Sequence, residues 1–165
     1  MINKNFCLRM SVMILIFGFA AVWSVEAQTD SRLNGKWDGT VQGIEIELSL
    51  NNGNYESTSN GVSDSRGTYT TLNDRFTMKP THIHGESFNK SAGAPYLESK
   101  WYTVNEFIVV FRAIFLELGV SEEITNQLIN LIISPPSTTY SVDANTLILT
   151  VSIEGQNFVQ IYTKR

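Results

Sequence analysis

Ile44-Glu45-Ile46-Glu47-Leu48-Ser49-Leu50 alternates aliphatic and polar residues, and Asn51-Asn52-Gly53 ends the run on a turn pair. A period of two places Ile44, Ile46, Leu48 and Leu50 on one face of a β-strand and Glu45, Glu47 and Ser49 on the other. Asn52-Gly53 tolerates positive φ at both turn positions, so residues 54–58 fold back on the strand as a hairpin.

Working outward from this hairpin, the same period recurs. Residues 59–66, rich in Ser, Asn, Gly and Asp, read as a loop. Residues 67–71 and 75–79 form a second hairpin around Asn73-Asp74, with residues 81–86 extending it. Gly85 to Pro95 clusters Gly, Ser, Ala and Pro and reads as a longer loop, after which residues 98–103 resume a strand around Trp101. Near the end of the chain, Leu147, Leu149, Val151 and Ile153 alternate along one strand, and residues 158–164 form its partner across Glu154-Gly155-Gln156. Residues 138–142 precede them as a strand that turns at Asp143-Ala144-Asn145. About nine short strands joined by tight turns predict a mainly β fold. A meander of that length removes its exposed edges by closing into an antiparallel up-and-down barrel.

Between residues 104 and 133 the period changes to that of a helix. Thr103-Val104-Asn105-Glu106 is a capping box, and the helix it opens runs to Leu118 and stops at Gly119. Ser121 caps a second helix, Glu122 and Glu123 oppose the positive end of its dipole, and Ser134-Pro135-Pro136 ends it. The barrel is thus expected to carry an inserted helical hairpin. Its first helix, with Phe107, Ile108, Val109, Val110, Phe111, Ile114, Phe115, Leu116 and Leu118, is apolar on nearly every side and must be covered on several of them.

The chain has 165 residues, 42% of them hydrophobic and 17% charged, with one cysteine and a formal net charge of −4. That length holds one domain. An acidic chain lacks the basic stripe that displaces counterions from phosphates, which argues against nucleic acid as a partner. Lys4 and Arg9, the apolar run from Val12 to Trp23, and the small residues Val25 and Ala27 describe a secretory signal peptide over residues 1–27, leaving residues 28–165 as the domain. The apolar run is shorter than the ~20 residues of a spanning helix, so no stable membrane span is expected after cleavage. Cleavage also removes Cys7, Lys4, Arg9 and Glu26, and leaves 138 residues of net charge −5. The exported product, periplasmic or secreted, is then a cysteine-free domain held by its core alone.

Gly35-Lys36-Trp37 at the start of the first strand resembles the Gly-x-Trp that opens the first strand of lipocalins and the wider calycin group. The stretch from Gly35 through Gly67-Thr68-Tyr69 to Asp143-Ala144-Asn145-Thr146-Leu147 resembles the lipocalin-like domains of exported bacterial proteins. The resemblance implies a barrel that binds a small hydrophobic molecule without catalysis and without a cofactor. It also implies a structural signature of Gly35, Trp37 and a basic residue near the last strand, Lys164 or Arg165, laid over the tryptophan. The candidates for lining the pocket are Ile46, Leu48, Tyr69, Phe76, Met78, Trp101, Leu149 and Val151.

Two other constellations bear on chemistry. His82, His84 and Glu86 alternate, and on a strand they would share a face as three ligands for zinc or a similar ion. No further histidine is present to complete such a set, and hydrogen-bonded strand residues at a barrel rim account for all three, so no metal is expected. Glu45 and Glu47 form a carboxylate pair that a solvated strand face explains. No Gly-x-Ser-x-Gly occurs and the domain has no thiol, so nucleophilic catalysis has no candidate. The apolar helical hairpin packs over the barrel or its open end, or serves as a lid over an apolar ligand, a dimer contact, a contact surface for a protein partner, or a membrane-surface element, the last of which its few cations argue against.

Overall fold

A computed structural model of the chain describes residues 28–133, 138–153 and 155–165. The expected signal peptide, and the Ser134-Pro135-Pro136 stop, lie outside these residues. Among the described residues there are nine strands: β1 (Gly35–Val41), β2 (Ile44–Asn51), β3 (Asn54–Ser59), β4 (Val62–Leu72), β5 (Arg75–His84), β6 (Trp101–Thr103), β7 (Thr138–Val142), β8 (Thr146–Ile153) and β9 (Gln156–Lys164). Three helices interrupt them: α1 (Gly85–Ala92), α2 (Val104–Glu117) and α3 (Glu122–Ile133).

All pairings are antiparallel. β1 to β5 form a meander, β7 to β9 a second one, and the two join at β1–β9 and β5–β7, so eight strands close into an up-and-down barrel. Among the described residues, three hairpins turn on a residue followed by glycine with both φ angles positive: Gln42-Gly43, Asn52-Gly53 and Asn60-Gly61. Such turns match the right-handed twist of the flanking strands. β6 pairs only with the upper end of β5, through His82–Thr103, Ile83–Tyr102 and His84–Trp101. Here "upper" denotes the end at which β5 finishes.

The lower end is plugged. Gln28 pairs with Thr71, a 3-10 turn over Ser31–Leu33 follows, and Leu33 is driven into the barrel. Trp37, fully buried, donates its indole N–H to the Leu33 carbonyl at 2.7 Å. The tip of Lys164 lies 5.1 Å above the Trp37 ring, and its stem fills the space beside Gly35, whose φ of +136° an L side chain rarely adopts. Lys164 therefore supplies the basic residue over the tryptophan. Arg165 does not; it runs along the outer face to Asp38 (2.8 Å) and Glu47 (2.6 Å) because strand alternation turns it outward.

Two segments expected as loops are ordered differently. Residues 59–66 contain only the Asn60-Gly61 turn, and β4 begins at Val62. Its inward positions carry Asp64 and Ser65, and a bulge lies opposite Ser57 and Thr58, so neither alternation nor hydrophobicity marks it as a strand. Within 85–95, α1 forms because Phe88 is fully buried and Gly93 ends the helix in the left-handed conformation, with Glu86 and Lys90 paired one turn apart. The strand around Trp101 is shorter than expected, residues 101–103. The helical hairpin is as expected, and the Thr103–Glu106 capping box is complete.

Two separate cores result. One fills the barrel around Leu33, Trp37, Leu48, Leu50, Tyr69, Phe76, Leu147 and Leu149. The other lies among the helices, where Phe88, Phe107, Phe111 and Phe115 stack in series with Ile83, Tyr102 and Ile129. Removing the floor of the first core is costly. In urea unfolding, Trp37→Ala is expected to lose about 4 kcal/mol. Lys164→Ala, which deletes one exposed contact with the same ring, should lose about 1 kcal/mol or less.

Candidate functional site

The barrel interior changes character along its axis. β2 lines it with Ile46, Leu48 and Leu50 throughout, but the inward positions of β3 run Tyr55, Ser57, Ser59, from the floor to the upper rim. β4 meets them with Tyr69 below and Ser65 and Asp64 above. The β3–β4 register skips one residue, pairing Ser57 with Ser65 and Thr58 with Ser63. Asp64 is the extra residue, and the bulge aims it inward beside Ser65 where plain alternation would have turned it out.

The hydroxyls and the carboxylate form one buried belt. Ser57 and Ser65 share a hydrogen bond of 2.9 Å, and the Tyr55 hydroxyl bonds to Ser65. Asp64, 1% exposed, accepts from Ser59 at 3.2 Å and, through a short bond, from the hydroxyl of Ser87 on α1. Burial pushes its carboxyl up to about 6 against the pull of those two donors. Burial likewise pushes the Tyr55 phenol up, with the Asp64 charge adding to it. On the opposite wall Tyr162 donates to buried Gln160 at 3.0 Å. On β7 the inward hydroxyl of Thr138 is buried and has no hydrogen-bond partner among the described residues.

The belt sits where barrel and helices meet. Ser65 faces the interior and its cross-strand partner is Ile83, so Ile83 lies on the same side of the sheet. Ile83 belongs to the helical core. The helices therefore lie on the interior side of the upper β4–β5–β6 wall, at the mouth of the barrel, with the polar belt between the two apolar cores.

Of the eight residues expected to line a pocket, Ile46, Leu48, Tyr69, Phe76, Met78 and Leu149 come together inside the barrel. Val151, fully buried, extends the Leu149 face by one more inward position. Trp101 is not among them. It stands on β6 under the Arg66 guanidinium, 4.5 Å from its ring, and edge-on to His84. The bulge that sets Arg66–His82 beside Gly67–Pro80 turns His82 and His84 outward. His82 bonds to Thr81, and Glu86 is carried off on α1 to Ser99 and Lys90, so the three side chains do not converge. No group of three or more His, Asp or Glu residues suited to a metal exists among the described residues. Glu45 is exposed on the outer face, and the neighbouring Glu47, bonded first to Lys36 and also to Arg165, has its carboxyl held low. Reasoning from the sequence missed Asp64, Ser57, Ser65 and Ser87, because serines and an aspartate beside Asn60-Gly61 read as turn chemistry.

A scan against family models, a search of the curated proteins and a search of the solved structures each found no match. Among the described residues no helix is long and apolar enough to cross a membrane.

The buried carboxyl makes a signed prediction. Its folded pKa lies above the unfolded value of 3.8, so its contribution to stability is fully present below about pH 4 and is lost as pH rises through about 6. A shift of roughly two units is worth about 3 kcal/mol. Asp64→Asn keeps the acceptor for Ser87 without the charge, and is expected to raise the melting temperature at pH 7.5 while leaving it nearly unchanged at pH 4. A variant less stable than wild type at pH 7.5 would contradict this account.

Proposed function

We propose that this chain is an exported, non-enzymatic, lipocalin-like barrel that binds a small, mainly hydrophobic molecule at its upper half, beneath the helices. The observation that carries this reading is the change of lining from large apolar residues at the floor to small hydroxyl residues near the mouth. A core built only for stability gains by filling such positions with aliphatic side chains. Here Ser57 and Ser65 occupy them, and an inward Thr138 hydroxyl is left unpaired at a cost of about 1–3 kcal/mol. A ligand with an apolar body against Ile46, Leu149 and Val151, and one hydrogen-bonding end toward the belt, would satisfy both features. Small-molecule sites are generally built this way, with a few polar groups placed in an apolar wall. No cofactor or metal enters this reading.

A second reading is a protein-interaction module of the cell envelope, or an inhibitor of a secreted enzyme, using the helical hairpin as its contact surface. It is favoured by Val109, 70% exposed, and Leu116, 49% exposed, which lie seven residues apart on one face of α2.

Thermal melting against a panel of fatty acids, isoprenoids and tetrapyrrole pigments separates the two readings. At least one class should raise the melting temperature with saturable binding, and Ser57→Phe, which fills the belt, should abolish the effect. No shift across the panel would remove the ligand reading and leave the interaction module.

A further inference from the structure

The helical layer touches the barrel through few elements. α1 packs on the upper part of β4, and α2 on the upper ends of β5 and β6. Within the layer the contacts are aromatic and mutual: Phe88 of α1 meets Phe107 and Phe111 of α2 edge-on, at 5.7 and 5.8 Å. Those contacts would survive if the layer moved as a unit. Among the described residues, the side-chain hydrogen bond that ties layer to barrel is the buried one from Ser87 to Asp64, at the point where α1 lies against the bulge.

We propose that Asp64 and Ser87 form a proton-controlled latch, which holds the helical layer closed on the barrel mouth when Asp64 is protonated and loosens it when Asp64 ionises. The charged form is disfavoured only while the layer is shut. In the closed state Asp64 is sealed from water with two hydroxyl donors, Ser59 and Ser87, too few to replace the hydration of a carboxylate. Opening exposes it to water, where the charge is solvated. The charged and titratable groups on the surrounding elements do not offset that charge. Tyr55 on β3 faces Asp64 but is itself neutral, and Glu56 on the same strand is exposed. Glu47 on β2 is held by Lys36 and Arg165. Arg66 on β4 is spent on the Trp101 ring, His84 on β5 packs against that ring's edge, and His82 bonds to Thr81. On α1, Glu86 is engaged with Lys90 and Ser99. The barrel site described above would thus be more open at neutral than at acid pH, although the latch itself does not require that any ligand exists.

Amide hydrogen exchange on the full domain tests this, with rates corrected for their intrinsic pH dependence. With the carboxyl near 6 when closed and near 3.8 when open, opening of α1 should be about tenfold more frequent at pH 7.5 than at pH 5.0. The α1 and α2 amides should also open more often than those of β8, which report global unfolding. Asp64→Asn should abolish the tenfold difference, and Ser87→Ala should raise opening at both pH values. The proposal is overturned if α1 and β8 share one opening rate, if the pH dependence persists in Asp64→Asn, or if Ser87→Ala leaves opening unchanged. Loss of ligand binding would bear on the proposed function and not on this result.

Discussion

β5 has two different neighbours on the same side, and the architecture follows from that. At its lower end Arg75 pairs with Thr139 of β7, and the Asp74 carbonyl accepts from Tyr140 N–H at 2.7 Å, which closes the barrel. At its upper end His82 to His84 pair with β6. A strand edge can satisfy one partner at a time, so β7 cannot pair with the stretch of β5 that β6 already holds. The inner face of upper β5, with Ile83 on it, then faces no opposing strand. An apolar face exposed in this way has to be covered, and the chain between β6 and β7 is the segment placed to do it. Residues 104–133 are accordingly apolar and helical, and they form a core of their own instead of merging with that of the barrel.

The boundary between the two cores is polar, which is the less stable solution in isolation. The hydroxyls of Ser57, Ser65 and Ser87 are hydrogen-bonded and so close to neutral in cost, but the Thr138 hydroxyl and the Asp64 carboxyl are not. The carboxyl arrives inside only because the β3–β4 bulge adds a residue. A single insertion thus converts an ordinary strand aspartate into a titratable group at the junction of barrel and helices. Bulges are concentrated where a side chain must be re-aimed, and this one changes both the lining of the mouth and the anchoring of α1.

Much of the fold was legible in the sequence. The Ile44 to Leu50 alternation, the Asn52-Gly53 turn, the Leu147 to Ile153 alternation and the Thr103 capping box are local signals, and their elements stand where local physics puts them. Of the two basic residues offered for the place over the Trp37 ring, strand alternation selects Lys164 and turns Arg165 outward. What failed was non-local. Val62 to Arg66 is a strand because β3 and β5 flank it, not because of its own residues, and α1 is a helix because Phe88 finds the aromatic row of α2. The polar belt was illegible for the same reason: Ser57, Ser65, Asp64 and Ser87 come from three elements, and nothing in their spacing along the chain brings them together.

The same distinction bears on the hydrophobicity of α2. Phe107, Phe111, Ile114 and Phe115, spaced i, i+4, i+7 and i+8, form one stripe of the helix, and it is buried in the helical core against α1, α3 and the β5–β6 wall. Its remaining face, with Val109 and Leu116, stays in water beside Arg112, which pairs with Glu122 across the turn at 3.8 Å. A helix that only completed a core would gain solubility, at no cost in packing, by carrying polar residues at those two positions. Packing therefore accounts for the buried stripe of α2 and places no demand on the residues of its exposed side.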